Sequence, residues 1–196
     1  MSRANEWLET EGGWPRPQQG LDNHSSCTIQ LATVLCNGGG EAVHHDTALS
    51  KELVMLTDFV VASPEEAAAV SASLNRRSAW ACFESKGLDN STLAALWSAI
   101  DPSVDASALE GEAHVVFSGP DRNGPWVFDL PTHFVRQLAA LPRDSFLPVA
   151  ERWVKSPELS HARWRGSDVV PAIVSLNEIA SIAIQKEKAL LLWMSL

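Results

Sequence analysis

The chain has 196 residues, of which 45% are hydrophobic and 20% charged, as is usual for one soluble globular domain with an extension. Its formal net charge of -9 would repel nucleic acid phosphates and an anionic membrane surface, which argues against DNA, RNA or lipid headgroups as partners. Three cysteines at unrelated spacings indicate no disulfide framework, and no run reaches the roughly 18 apolar residues of a membrane span. The composition therefore predicts a cytoplasmic protein.

The first part of the chain differs from the rest. Residues 1–50 are polar and glycine-rich, with one apolar island at residues 29–35. Such a segment buries too little apolar surface to offset the entropy of ordering it. We therefore expect residues 1–50 to be a largely disordered extension and residues 51–196 to form one domain. Met55 begins a strand-like run, which makes it an alternative start of translation.

The predicted domain opens with a strand followed by a helix. Residues 53–62 are rich in branched and aromatic side chains and have the length of a strand. The next four residues, Ser-Pro-Glu-Glu, are typical of a helix start, because Ser63 can cap the helix and Glu66 can close a capping box. This helix is expected to run to about Leu74.

A second strand and helix follow. Residues 79–84 predict the strand, and Asn90 or Ser91 is expected to cap a helix that ends at Asp101. Its apolar residues recur at helical spacing: Leu93, Leu96, Trp97 and Ile100. Residues 113–118 and 126–129 are two short strand patterns separated by a turn-forming run, which predicts a hairpin.

Three helices and a final strand complete the domain. The first follows Leu-Pro-Thr at residues 130–132, the second carries Trp153, and the longest begins at Ser167 or Asp168 and ends near Lys186. Residues 189–195 are apolar on both alternating faces, as in a strand covered on two sides. The order predicts an α+β domain with a mixed sheet of about five strands and about five helices.

Several local features are shared with a known group of proteins. They are the Ser-Pro-Glu-Glu after a strand (residues 60–66), the Leu-Pro-Thr before a helix (130–132), a Trp-bearing segment, and Gln-Lys-Glu-Lys (185–188) before an apolar strand. On these features residues 53–196 resemble the YfbM-like group of small uncharacterised bacterial proteins. That group has no assigned activity, so the resemblance implies a fold and supplies no site residues.

Possible metal ligands are concentrated in the extension, at Cys27, Cys36, His44, His45 and Asp46. Structural zinc sites usually bring cysteines in close pairs, whereas these two lie far apart. Adjacent histidines also point to different sides of any regular backbone. We therefore predict no metal site, and no cofactor motif is present.

Cys82 is the one candidate nucleophile of the domain, with His114 or His133 as its base. Such a pair requires a thiolate and a hydrogen-bonded imidazole. However, Cys82 lies in an apolar strand pattern between Trp80 and Phe83, where a buried inert thiol is the common outcome. No Gly-x-Ser-x-Gly, His-Glu-x-x-His or paired-carboxylate motif offers another catalytic centre.

Two segments are candidates for contact with a partner. Residues 161–165 form a local basic and aromatic cluster in an acidic chain, and Trp164 in it has the weakest signal for burial among the domain's tryptophans. The hairpin loop at residues 118–125 presents charged groups at its tip. The predicted contact residues are Arg163, Trp164, Arg165, Asp121 and Arg122.

Two hypotheses on function follow, and the sequence does not decide between them. The first is a non-enzymatic cytoplasmic module that binds another protein through these two segments. The second is a small enzyme, a hydrolase or transferase, that uses Cys82 with His114 or His133. The lack of a catalytic motif favours the first.

Overall fold

The computed structural model describes residues 55–105, 107–161 and 163–196. These residues form a five-stranded sheet with the strand order β2-β1-β5-β4-β3. The strands are β1 (Leu56–Ala62), β2 (Cys82–Lys86), β3 (His114–Asp121), β4 (Gly124–Asp129) and β5 (Ala189–Ser195). The α+β class is confirmed, while the predicted disordered extension, residues 1–50, lies outside the described residues.

The sheet is antiparallel throughout, so the prediction of a mixed sheet was wrong. All four neighbouring strand pairs run in opposite directions. The reason is that β5, the last strand, inserts between β1 and β4 and runs antiparallel to both. The predicted hairpin of β3 and β4 is present, but apolar patterns do not indicate which strands become neighbours when they are far apart in the sequence.

The described residues also form seven helices, more than the five predicted. They are α1 (Ala67–Ala72), α2 (Asn90–Ile100), α3 (Ser107–Glu112), α4 (Thr132–Ala140), α5 (Phe146–Trp153), α6 (Pro157–Ser160) and α7 (Gly166–Gln185). The two that sequence reasoning missed, α3 and α6, have six and four residues, too few for a periodic apolar pattern to be recognised.

One predicted capping box is confirmed and two helix starts are corrected, one of them that of α7, which begins at Gly166 with Arg165 as its cap rather than at Ser167 or Asp168. The capping box before α1 is confirmed, because the Ser63 N–H donates to Glu66 at 2.8 Å. The cap of α2 is Asp89 rather than Asn90 or Ser91, since its carboxylate accepts a hydrogen bond from the backbone N–H of Thr92 at 2.9 Å. Asp is as good a cap as Asn or Ser, so composition alone does not separate such neighbours.

The sheet separates two cores of unequal size. The larger lies between the sheet and the helices α2, α4, α5 and α7, and it includes Trp153, whose indole N–H donates to the Thr92 carbonyl at 2.9 Å. The smaller lies under α1 on the opposite face and contains Val60, Val70 and Leu191. β5 is buried on both faces, as its sequence predicted.

The long helix α7 is the central element of the helical layer. It packs against β1, β2 and β5 on one side and against α4 and α5 on the other. Among the described residues it is the one helix long and apolar enough to cross a membrane, a test that core helices of soluble proteins also pass. Its packing against the sheet is compatible with a soluble protein.

Candidate functional site

A groove of about 750 Å³ runs between the segment that leads into β2 and one face of α7. Residues 77–83 form its sheet side. Its helix side consists of Ser175, Glu178, Ile179, Ile182, Gln185 and Lys186, whose spacing places them on one helix face. Of its apolar lining, Ala81 and Ile182 are partly buried against the main core, whereas Trp80 packs on the smaller core and its indole N–H donates to Glu66 at 3.1 Å.

The hydrogen bonds between β2 and β1 use alternate residues. The Val61 N–H donates to the Ala81 carbonyl at 2.9 Å, and the Gly87 N–H donates to the Met55 carbonyl at 3.2 Å. Antiparallel pairs alternate between residues that exchange both backbone bonds and residues that exchange none. The odd-numbered residues of β2 are therefore those bonded to β1.

The even-numbered residues of β2 point their backbone groups away from the sheet. These residues are Cys82, Glu84 and Lys86, and β2 is an outer strand with no described strand beyond it. Such a row of outward N–H and C=O groups is a template on which another extended segment can pair. This free edge borders the groove.

A charged cluster lies on the face of β2 that points away from α7. Arg76 pairs with Asp58 at 3.3 Å, and Arg77 pairs with Glu84 at 2.8 Å. The guanidinium of Arg76 also lies 3.6 Å from the ring centroid of Trp193, a cation–π contact. Because both carboxylates lie on β1 and β2 and both arginines on the turn before β2, the cluster fastens that turn to the sheet.

Burial raises the pKa of two groups in this cluster. It raises the pKa of Asp58 to about 6, against the opposing effect of Arg76. It also raises the pKa of the Cys82 thiol to about 12, with the nearby carboxylates adding to the effect. Cys82 is therefore a neutral thiol at physiological pH, and it lacks the thiolate that nucleophilic catalysis requires.

The same cluster contains three ligand types that can bind a metal. Single ligand atoms of Asp58, Cys82 and Glu84 lie within 4.8 Å of one another. Both carboxylates are already paired with arginines, which supply two positive charges at the same place. A divalent cation would have to displace these ion pairs, so the set does not fit a metal centre.

His114 and His133 lie together in a second, smaller cleft of about 320 Å³. His114 is opposite Asp129 in the β3–β4 pair, and His133 is in the first turn of α4, against the ring of Trp97. Burial raises the pKa of Asp129, and His114 opposes that effect.

The structure does not bring Cys82 together with either histidine. β2 and β3 are the two outer strands of the sheet, which places them four strand spacings, or about 19 Å, apart. His133 shares the cleft of His114, and neither histidine lines the groove beside Cys82. The predicted nucleophile and bases therefore occupy opposite ends of the sheet.

The predicted partner-binding segments lie away from the groove. Trp164 is half-buried against the main core rather than exposed. Arg163 and Arg165 are exposed, and the Arg165 N–H donates to Asp168 at 2.8 Å as the cap of α7. A contact role for this segment stays a prediction.

The hairpin loop is tighter than predicted. β3 extends to Asp121 and β4 begins at Gly124, so only Arg122 and Asn123 form the turn. Asp121 and Arg122 are exposed at this tip. Gly124 has a φ of +95°, a conformation that glycine adopts without strain.

Sequence reasoning missed the groove and the charged cluster. A signal for the cluster was present, since Asp58 and Glu84 interrupt otherwise apolar strands and Arg76-Arg77 precedes the second strand. No signal marked β2 as an outer strand. The chain matches no family model, no curated protein and no solved structure, so the resemblance to the YfbM-like group stays a prediction.

Proposed function

We propose that this chain is a non-enzymatic, cytoplasmic protein-binding module that adds an extended segment of a partner protein to the free edge of β2. In this mode of recognition, backbone hydrogen bonds provide affinity and pockets beside the strand select alternate side chains of the partner. The observation that carries the proposal is the outward backbone of Cys82 and Glu84 beside the groove against α7.

The chemistry of the groove agrees with a peptide occupant. Its helix side spans residues 175–186, about 16 Å at the rise of an α-helix. Five residues of extended chain cover about the same distance. The half-buried Ile182 offers apolar surface to such a segment, above the buried Ile179.

An enzyme that uses Cys82 has less support. The thiol is neutral at physiological pH because burial raises its pKa to about 12. The described residues that line the groove include no histidine to act as a base.

The proposal is tested by removing one backbone donor. Glu84→Pro deletes the outward N–H without deleting a bond to β1, and proline is tolerated on outer strands. We expect this variant to capture at least about tenfold less of the partner than the native chain in pull-downs from the source cell. Glu84→Gln is the matched control, since it removes the charge and its pairing with Arg77 but keeps the N–H.

Both variants need the native unfolding midpoint for the comparison to be valid. Equal capture by Glu84→Pro and the native chain would show that the free edge of β2 does not bind the partner. Loss of capture in both variants would assign recognition to the side chain of Glu84 instead.

A further inference from the structure

Asp58 is a carboxyl group in a position that disfavours its charge. Its side chain is only 13% exposed, and it lies directly opposite Glu84 in the β1–β2 pair. An oxygen of Asp58 lies within 4.8 Å of an oxygen of Glu84. Two like charges at this distance repel each other, and burial adds a further cost for Asp58. Protonation of Asp58 removes both costs.

The titratable groups that face Asp58 come from two elements, β2 and the turn of residues 76–80. The other elements packed on this face, α1 and β5, contain no titratable side chain. The groups are Glu84, Cys82 and Lys86 on β2, and Arg76 and Arg77 in the turn. Of these groups, Arg76 alone is buried.

The turn of residues 76–80 covers Asp58. On this face of the sheet α1 packs mainly against β3, β4 and β5, away from the β1–β2 pair that carries the two carboxylates. Arg76 pairs with Asp58 and also lies over the ring of Trp193, which is opposite Asp58 on β5. When this turn lifts, Asp58 regains contact with water.

Few groups fasten this turn to the sheet. Besides the ion pairs of Arg76 and Arg77, the Trp80 indole N–H donates to Glu66 at 3.1 Å. Leu74, two residues before the turn, is fully exposed. Segments with few apolar contacts open locally at a lower free energy than the core of a protein.

We propose that this turn is a pH-sensitive cover, which closes over Asp58 when the carboxyl takes up a proton and opens when the carboxyl is ionised. Residues 77–80 also line the groove, so the closed turn completes the groove and the open turn removes part of its wall. The movement is a property of the chain itself, whereas its effect on partner binding rests on the proposed function.

The direction of the effect follows from burial. Burial raises the pKa of Asp58 from 3.8 to about 6 and outweighs the opposing effect of Arg76. A carboxyl in contact with water keeps a pKa of about 3.9. The covered state therefore holds the proton more tightly, and proton uptake favours it. This contribution to closure is full below about pH 4 and is lost as the pH rises to about 6.

Amide hydrogen exchange of the full chain at pH 5 and pH 7.5, measured by NMR, tests this inference. The N–H groups of Ala79 and Trp80 donate to the Arg76 carbonyl at 3.1 Å and 3.0 Å, so both report on the closed turn. After correction for the intrinsic pH dependence of exchange, we expect their protection to be about tenfold lower at pH 7.5 than at pH 5. The N–H of Leu192, in the buried central strand, should stay better protected than both.

Asp58→Asn supplies the decisive variant, because its side chain is neutral at both pH values. We expect it to keep the protection of Ala79 and Trp80 high at pH 7.5. Asp129→Asn, which removes a raised carboxyl at the opposite end of the sheet, is the matched control and should keep the tenfold difference.

Three results would overturn the inference. The first is native protection of the turn that is equal at the two pH values or rises with pH. The second is a fall in protection that Asp58→Asn retains. The third is equal protection of the turn and of Leu192, since the turn would then open only with the whole fold.

The outcomes separate this inference from the proposed function. Protection that does not depend on pH, combined with capture that Glu84→Pro abolishes, would remove the pH-sensitive cover and leave partner binding in place. Protection that depends on Asp58, combined with capture that Glu84→Pro leaves intact, would support the cover and remove the partner site from β2.

Discussion

The two outer strands of the sheet, β2 and β3, differ in the regularity of their edges. β3 shifts register twice against β4, and it carries Gly119 and Pro120. β2 keeps its register against β1 over five residue pairs and borders a groove. Bulges and proline blunt an edge, so β3 is a poor template for a further strand and β2 is a good one. Of the two outer strands of the described sheet, β2 therefore has the more regular edge.

The structures that support the two edges also differ. A buried ion pair and a cation–π contact fasten the turn before β2, through Arg76, Asp58 and Trp193. The tip of the β3–β4 hairpin, by contrast, is exposed. A rigid edge is suited to recognition because less conformational entropy is lost on binding.

The first prediction concerns the thiol on the β2 edge and has the largest expected effect. With a pKa of about 12, Cys82 should be alkylated at pH 7.4 about a thousandfold more slowly than a thiol with a pKa of 9. Mass spectrometry after iodoacetamide treatment measures this rate, and Cys82 in urea provides the unprotected reference. Rapid labelling of the native thiol would instead make this edge a candidate nucleophilic site.

The second prediction tests whether the β2 end depends on its buried ion pair. Arg76→Ala leaves Asp58 nearly buried without its partner and removes the contact with Trp193, so we expect the free energy of unfolding to fall by about 3 kcal/mol. Urea denaturation measures the change. Arg122→Ala, at the exposed tip of the opposite hairpin, is the control and should change it by less than about 0.5 kcal/mol. Similar losses in both variants would remove the contrast between the two ends.

The third prediction uses pH. Because the pKa of Asp58 is raised from 3.8 to about 6, the unfolded chain loses this proton first as the pH rises. The stabilising contribution of Asp58 to the free energy of unfolding is therefore fully present below about pH 4. It declines by about 2 kcal/mol between about pH 4 and pH 6, and the decline is limited because Asp58 keeps some contact with solvent. The Asp58→Asn variant should no longer show this decline when its free energy of unfolding is measured by urea denaturation at pH 4.5 and at pH 7.

Asp129 provides the matched comparison for the pH effect. Its pKa is also raised by burial, so the sign is the same, but it lies in the open cleft beside β3. We expect Asp129→Asn to remove a smaller part of the pH dependence than Asp58→Asn. A larger effect of Asp129→Asn would mean that the β3 end, not the β2 end, holds the more strained carboxyl.

Local patterns predicted much of the fold because their causes are local. β5 occupies the predicted residues 189–195, and the capping box of Ser63 and Glu66 is present. The start of β2 was placed three residues too early, since Trp80 and Ala81 continue the apolar pattern although the regular strand begins only at Cys82. The charged cluster was not predicted, because its members come from segments that meet only in the sheet.

The sequence by itself determined that residues after Met55 form an α+β domain with five strands, since apolar periodicity and caps act within a few residues. Only the tertiary structure decided that β2 is an outer strand, that α7 lies beside it, and that Cys82 is far from both histidines. These arrangements arise from pairing between distant segments, above all the insertion of β5 between β1 and β4. Pairing of this kind depends on the packing of the whole core, which no short stretch of sequence encodes.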